Sequence, residues 1–330
     1  MSNKVKVAAI QAELPSPPPE LDFLNPAYRA DKAAILSGYV QPRLDKVCTL
    51  LEQAGQEGCD IVTSSEDVTG IARFLPDIGP NSLFAPLAAE AGLLADAAMA
   101  QVARKHRMYV VGCYLHEQGG AIYNRATIFG RDGAPVGFYD KVQLPSDEAW
   151  QIAPGDRLPV FDLDFGRVGL AICYDMMFPE VLSVLGLRGA RIVFHPTAGY
   201  GWYDSIGEAT LRTRANDNDL YIVTAKSYVY AAAGHSSVID HWGQVKADAG
   251  FDADVVVSHC IDLDQEKVQP PWFVPTRMTG EPSLRRRRAL ERRPALYAPL
   301  ADERLAGRLV QPEEEKPSIV EDLRSGRVHW

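Results

Sequence analysis

Five consecutive apolar residues, Val168-Gly169-Leu170-Ala171-Ile172, end at Cys173 and pass directly into the polar Tyr174-Asp175 and a proline-bounded helical stretch. A run this short, apolar on both faces, reads as a strand covered by packed layers on either side. The chain around it keeps that rhythm. A strand over Val5 to Gln11 is followed by a helix with Leu44, Val47, Leu50, Leu51 and Ala54 on one face, then a strand over Cys59 to Ser65. A helix over Leu93 to Lys105 and strands over Met108 to Leu115 and Ala121 to Phe129 come next, with a turn at Arg131-Asp132-Gly133. A helix after Phe178, a strand over Arg191 to His195, a helix over Asp204 to Asn216 and a strand over Leu220 to Lys226 continue the series, before strands near Val238 and Val255. Strands alternating with helices and hairpins argue for an α/β layered domain.

Residues 1–300 carry no internal repeat and no evident linker, so they are expected to form a single domain. Within it, the segment 14–40 reads as an insertion, because Pro15, Pro17, Pro18 and Pro19 remove backbone donors and fix φ. The polar stretch 301–330, with Glu313-Glu314-Glu315, reads as a C-terminal extension. The charge balance is −9, from 34 Lys and Arg against 43 Asp and Glu, which argues against a nucleic-acid or anionic-membrane partner. The basic block Arg285 to Arg288 reads as a solvated or paired face. No apolar window is long enough to span a bilayer, and the N-terminal apolar run is too short for a secretory signal. Five widely spaced cysteines, Cys48, Cys59, Cys113, Cys173 and Cys260, suggest neither a disulfide framework nor a zinc site. The histidines show no metal-binding spacing, so neither metal nor cofactor is expected, and a reducing cytoplasm is the expected location.

Cys173 stands apart from the other cysteines. It closes an apolar strand at a strand-to-helix turn, where backbone N–H groups favour a thiolate and can donate to an oxyanion. Two charged residues sit at other strand ends. Glu66 closes the strand before it, and burial there is expected to raise its pKa into the range of a proton shuttle. Lys141 ends Gly137-Phe138-Tyr139-Asp140-Lys141 and opens a loop. His195 reads as a hydrogen-bonded structural group rather than a base.

In the order Glu66, Lys141, Cys173, these segments resemble the nitrilase superfamily of carbon–nitrogen hydrolases. The motifs are the opening V-x-V-A-A-I-Q strand, the Y-x-K-x-x-L segment, G-L-A-I-C-Y-D-x-x-F-P-E, and Arg212-Thr213-Arg214-Ala215-Asn216-Asp217-Asn218 before a strand. The resemblance implies a four-layer α-β-β-α sandwich that assembles as a homodimer or higher homo-oligomer. It implies Cys173 as nucleophile, Glu66 as proton shuttle, and Lys141 with the backbone N–H of Tyr174 as oxyanion donors. Glu148, in the loop after the lysine, would orient the substrate nitrogen, the lysine or the water. Ser64-Ser65 stand where many members carry an apolar residue and a proline, and their hydroxyls are expected either to support Glu66 or to lower its pKa.

Tyr174-Asp175 after the nucleophile resemble amide-type members more than nitrile-hydrolysing ones, which usually carry Trp-Glu. Arg292-Arg293-Pro294-Ala295-Leu296-Tyr297 is similar to the C-terminal region of N-carbamoyl hydrolases. Met176 and Met177 occupy the place where hydrolases of N-carbamoyl-D-amino acids grip a carboxylate with arginine, so the expected substrate is a small amide or carbamoyl compound without a carboxylate, unless Arg73 or Arg125 reaches the pocket. Thr197 and Trp202, after the Arg191 to His195 strand, are expected to line the rim. A nitrilase and a catalytically silent assembly protein remain as alternative readings.

Overall fold

The computed structural model describes residues 3–145, 147–198, 205–227, 234–272 and 274–302. It divides into two compact units, Met1–Gln265 and Glu266–Trp330. In the first, β1 (Lys4–Gln11) leads through a short helical turn, Pro19–Leu21, to α1 (Lys32–Ile35). The Asp31 side chain caps α1 by accepting the Ala34 N–H at 3.0 Å. A π-helical stretch, Leu36–Val40, then runs into α2 (Gln41–Gln56). Helix therefore begins ten residues before Pro42, where the sequence pattern placed it. Pro42 lacks an N–H, and the wider π turn ahead of it absorbs the missing bond.

The chain continues through β2 (Ile61–Thr63), α3 (Phe84–His106), β3 (Tyr109–Gln118), β4 (Ala121–Phe129) and β5 (Pro135–Asp140). It then forms β6 (Val160–Leu163), β7 (Gly166–Leu170), α4 (Pro179–Leu187), β8 (Ile192–Thr197) and α5 (Ser205–Asn218). β9 (Tyr221–Lys226), β10 (Ser237–Ile239), β11 (Val245–Asp248) and β12 (Val255–Asp262) complete the unit.

These strands make two six-stranded sheets, ordered β12-β1-β2-β3-β4-β5 and β11-β10-β9-β8-β7-β6. Each has a parallel trio at its centre, β1-β2-β3 in the first and β7-β8-β9 in the second. Antiparallel strands flank both trios. The sheets bury one shared core, in which Val7, Ile61 and Val111 of the first join Leu170, Phe194 and Val223 of the second. α2 and α3 pack against the first sheet. The outer face of the second meets α4 and α5 through Val193, Ile222, Leu182 and Leu211. This is the α-β-β-α sandwich expected from the sequence. Among the described residues, no helix is long and apolar enough to cross a membrane.

The parallel strands of both sheets end on the loops that carry the chemistry-bearing residues, as layered α/β folds favour. Two local devices set those ends. Asp67 adopts a left-handed φ of 46°, and its carboxylate accepts the N–H groups of Gly70, Ile71 and Ala72, which closes the turn beside Glu66. At the end of β5, the Gly155 N–H donates to the Lys141 carbonyl at 2.9 Å. A Cβ on Gly155 would lie 2.1 Å from the Asp140 carbonyl oxygen, so only glycine permits this approach.

The second unit contains α6 (Val274–Thr279) and α7 (Leu284–Glu291), the latter capped by Ser283. Arg285 to Arg288 lie on α7; Arg287 is buried and ion-pairs with Glu291, while Arg286 reaches Glu266 and Glu281. Residues 303–330 lie outside the described residues.

Candidate active site

The first sheet gathers charge. Lys141 follows β5, and its backbone N–H donates to the Asn124 carbonyl on neighbouring β4 at 2.9 Å. Its ammonium is fully buried and donates to Glu66 Oε1 at 2.9 Å and to Glu148 Oε1 at 2.6 Å. Asn124 sits at the same junction, where its Nδ2 donates to Glu66 Oε1 at 2.8 Å and to Glu148 Oε2 at 3.4 Å. The Cys113 thiol donates to the Asn124 Oδ1 at 3.6 Å and sets which way the amide faces. One ammonium and one amide therefore hold two buried carboxylates together.

The environments of those carboxylates differ. Burial pushes both upward, but Glu66 is outweighed by the Lys141 charge and hydrogen bond, the Ala198 N–H and Asn124, and ends below its ordinary value. Glu148 is pushed up to about 7, by burial and by the charge of Glu66, against the pull of Lys141. The raised pKa expected of Glu66 is thus corrected, because burial is only one contribution and the lysine counter-charge is another. The two serines play no part in this. Ser64 Oγ donates to the Ser65 carbonyl and accepts the Cys113 N–H, and the buried Ser65 hydroxyl makes no bond to Glu66.

The second sheet supplies the thiol. Cys173 opens a short 3-10 turn, Cys173–Met177, with a left-handed φ of 42°. Such a backbone is costly for a residue other than glycine and persists only when its surroundings hold it. The Asp175 carboxylate accepts the Ile172 N–H at 2.8 Å, the Tyr139 hydroxyl at 2.7 Å and the Gln143 N–H at 3.0 Å. It thereby ties the thiol turn to the segment that carries Lys141. From the other side, His195 Nε2–H donates to the Cys173 carbonyl at 3.2 Å, while its Nδ1 accepts the Thr224 hydroxyl at 3.0 Å. Burial lowers the His195 pKa to about 4, which keeps the ring neutral and suits this tautomer.

Sheet-to-sheet contact completes the site. The N–H of Ala198, just past β8, donates to Glu66 Oε2 at 2.8 Å. Thr197 hydrogen-bonds the Cys173 thiol. Burial and the Glu66 charge push that thiol up to about 12, against the pull of Lys141 and Thr197. At rest it is protonated, and it becomes a nucleophile only if a neighbour takes its proton.

Glu66, Lys141 with Glu148, Cys173 and Thr197 therefore converge from four separated segments. Tyr174 lies in the thiol turn with its ring edge-on to Phe178 at 5.4 Å. Met176 and Met177 differ in burial. Met176 is fully buried in the core under α4 and α5, whereas Met177 is 52% exposed. Successive residues of a tight turn point in different directions, which separates the pair. Trp202 lies outside the described residues. Arg73 is bound to Asp22 at 2.6 Å and Arg125 to Asp140 at 2.7 Å, so each already has a carboxylate partner. Asn124, Asp175 and His195 were not singled out as site residues by the sequence pattern; their sole signal is a polar residue in or beside an apolar strand.

An α-β-β-α sandwich carrying a thiol beside a carboxylate-bound buried ammonium defines a hydrolase fold with a covalent-catalysis site. The family model for carbon-nitrogen hydrolases matches residues 6–269, and the chain belongs to that family. Omega-amidase NIT2-B of Xenopus laevis is 31% identical, over 69% of this chain and 86% of the relative. Nit3 of Saccharomyces cerevisiae, a member of branch 10 of the nitrilase superfamily, has a similar fold, with a TM-score of 0.62 at 23% identity over 86% of this chain and 97% of the other. A mutant amidase from Nesterenkonia sp. AN1 in complex with butyramide gives a TM-score of 0.63 at 22% identity, over 80% of this chain and 92% of the other.

Proposed function

We propose that the protein hydrolyses the C–N bond of a small linear amide through a thioester on Cys173. The observation that carries this reading is the fully buried Lys141 ammonium held between Glu66 and Glu148, in the same site as a thiol whose pKa of about 12 demands a base. Glu66, kept ionised by Lys141, takes the thiol proton as sulfur attacks the amide carbon. Lys141 and the Tyr174 N–H receive the negative charge that develops on the carbonyl oxygen. The proton on Glu66 then passes to the departing nitrogen, ammonia leaves and the thioester remains. Water, losing a proton to Glu66, attacks the thioester, and collapse returns the thiol and releases a carboxylic acid. Glu148, anchored to Lys141 and Asn124, holds the lysine and orients the amide nitrogen or the water.

The omega-amidase and amidase relatives support an amide over an N-carbamoyl compound or a nitrile. A homodimer or higher homo-oligomer in a reducing cytoplasm fits this reading, and light scattering on the purified protein tests the assembly. The test of function is ammonia release across matched amides, N-carbamoyl amines and nitriles, with mass spectrometry of the intact protein. An acyl adduct on Cys173 and preferred turnover of amides are expected. Inertness towards the whole panel would instead favour a silent assembly protein.

A further inference from the structure

A second polar network lies on the outer face of the first sheet, directly behind the site. Ala126 on β4 and Tyr139 on β5 belong to the core shared by the two sheets, so by strand alternation Asn124 and Lys141 face inward and Arg125 and Asp140 face outward. Arg125 and Asp140 are register partners, and theirs is the last pair of the β4-β5 ladder. The next backbone bond, from the Lys141 N–H to the Asn124 carbonyl at 2.9 Å, already belongs to the site.

The Arg125 guanidinium grips Asp140 with two bonds, Nε to Oδ1 at 2.7 Å and Nη2 to Oδ2 at 3.0 Å, and Nη2 also donates to Gln118 Oε1 at 2.7 Å. Its planar group lies 3.7 Å from the centre of the Phe138 ring. On the other side, Nη1 meets His116 Nδ1 at 3.4 Å. Arginine only donates, so His116 accepts at Nδ1 and carries its proton on Nε2, 3.3 Å from Asp96 Oδ2 on α3. The Tyr114 hydroxyl donates to the other oxygen of that carboxylate. The network thus runs from α3 across β3 and β4 to β5, and it stops one residue short of Lys141.

Arg125 is 5% exposed, and the Asp140 side chain is 14% exposed. Burying such a pair is costly, and apolar side chains of similar volume would hold a helix on a sheet at least as well. What they would not supply is alignment, because a planar fork on a carboxylate fixes distance and angle together. Beyond the fork the ladder ends, yet Lys141 must still place its ammonium 2.9 Å from Glu66 and 2.6 Å from Glu148. We propose that Arg125 is a positioning residue of the reaction, holding the β4-β5 end in register from the far face of the sheet so that Lys141 and Asn124 meet both carboxylates. This rests on the amide-hydrolase reading and deepens it. Arg125 itself faces away from the thiol and acts through Asp140.

The experiment compares full-length protein carrying Arg125→Lys, which keeps the charge but not the fork, with Arg125→Met/Asp140→Asn, which removes both charges together. Deleting both partners leaves no unpaired buried charge, so the double variant is expected to melt within about 5 °C of wild type. Its kcat for ammonia release from butyramide should nonetheless fall about 10- to 100-fold, with KM changed less than about 2-fold, as lost alignment predicts. Lysine should recover only part of that loss. A readout that needs no turnover is the rate at which chloroacetamide alkylates Cys173, followed by mass spectrometry of the peptide that contains it. Alkylation depends on Glu66 taking the thiol proton, and it should slow together with kcat. A double variant that melts near wild type with kcat and alkylation unchanged overturns the proposal. So does a loss expressed through KM alone, or one that disappears when the assay is cooled well below the melting point, which marks a merely weakened fold. Absence of ammonia release from any amide by the wild-type protein would sink the hydrolase reading, while slower alkylation of Cys173 in the variants would still uphold the positioning role.

Discussion

The two sheets share one pairing pattern but bring different chemistry to the site. At the ends of β2 and β5, the first sheet holds Glu66 and Lys141, with Asn124 on β4 and Glu148 in a following turn. Nearly every polar atom there is engaged by a charged or amide partner. Past β7 and β8, the second sheet holds a neutral thiol, a hydroxyl and a neutral imidazole around a strained backbone. One half stores fixed charge that need not reorganise during reaction; the other stores geometry. Ala198 joins them by donating from the second sheet to a carboxylate of the first.

Removing the reacting atom from the geometric half should have the largest effect. Cys173→Ala is expected to cost at least ~10³-fold in kcat with the fold intact by circular dichroism; retained turnover would show that the thiol is not the nucleophile. Breaking the charged half with Lys141→Met should cost on the order of 10²- to 10³-fold in kcat/KM. It should also move the acid limb of the pH profile upward. Lys141 opposes the effect of burial on Glu66, so without it Glu66 binds a proton at higher pH and fails as a base over a wider range. A limb that stays in place would show that Lys141 does not set the state of Glu66.

Asn124→Ala keeps every ionisable group but loosens their alignment, and a loss of about 10-fold in kcat with little change in KM is expected. An equal loss in kcat/KM through KM alone would mean that Asn124 serves binding rather than positioning. The smallest effect concerns stability. Glu148 has a pKa of about 7 in the folded protein against an ordinary 4.5, so the folded chain keeps a proton that the unfolded chain has released. Its contribution to stability is present at low pH and is lost as pH rises through that window. Glutamine cannot titrate, so the melting temperature of Glu148→Gln relative to wild type should rise by a few degrees from about pH 5 to about pH 8. A constant offset would show that Lys141 keeps Glu148 ionised throughout.

Much of this was legible in the sequence. Apolar runs ending in Glu66 and Cys173 marked strand ends, but a charged residue at such an end is by itself usually a solvated surface group, and it was the family resemblance that gave Glu66 and Lys141 their roles. The turn at Gly133 and the helix starting at Pro179 were local and readable. Asn124 was not readable, because a polar residue in an alternating strand looks solvent-facing until its neighbours are known. Asp175 was legible only as part of the motif after the nucleophile and His195 as a hydrogen-bonded structural group, which it is, but their clamp on the thiol turn depends on Tyr139, Gln143 and Thr224, each contributed by a distant stretch of chain.

The order of apolar and polar residues by itself determined the layered α/β architecture and the strand ends, since these follow from local periodicity, and the motifs shared with a known family singled out the reactive groups among the residues at those ends. Tertiary structure decided how those groups behave. Burial and counter-charge are set by residues far apart in sequence: Lys141 lies 75 residues from the carboxylate whose proton affinity it lowers. The same holds for Met176, which is turned into the core under α4 and α5. Direction and desolvation are properties of packing, and packing is not written in any local pattern.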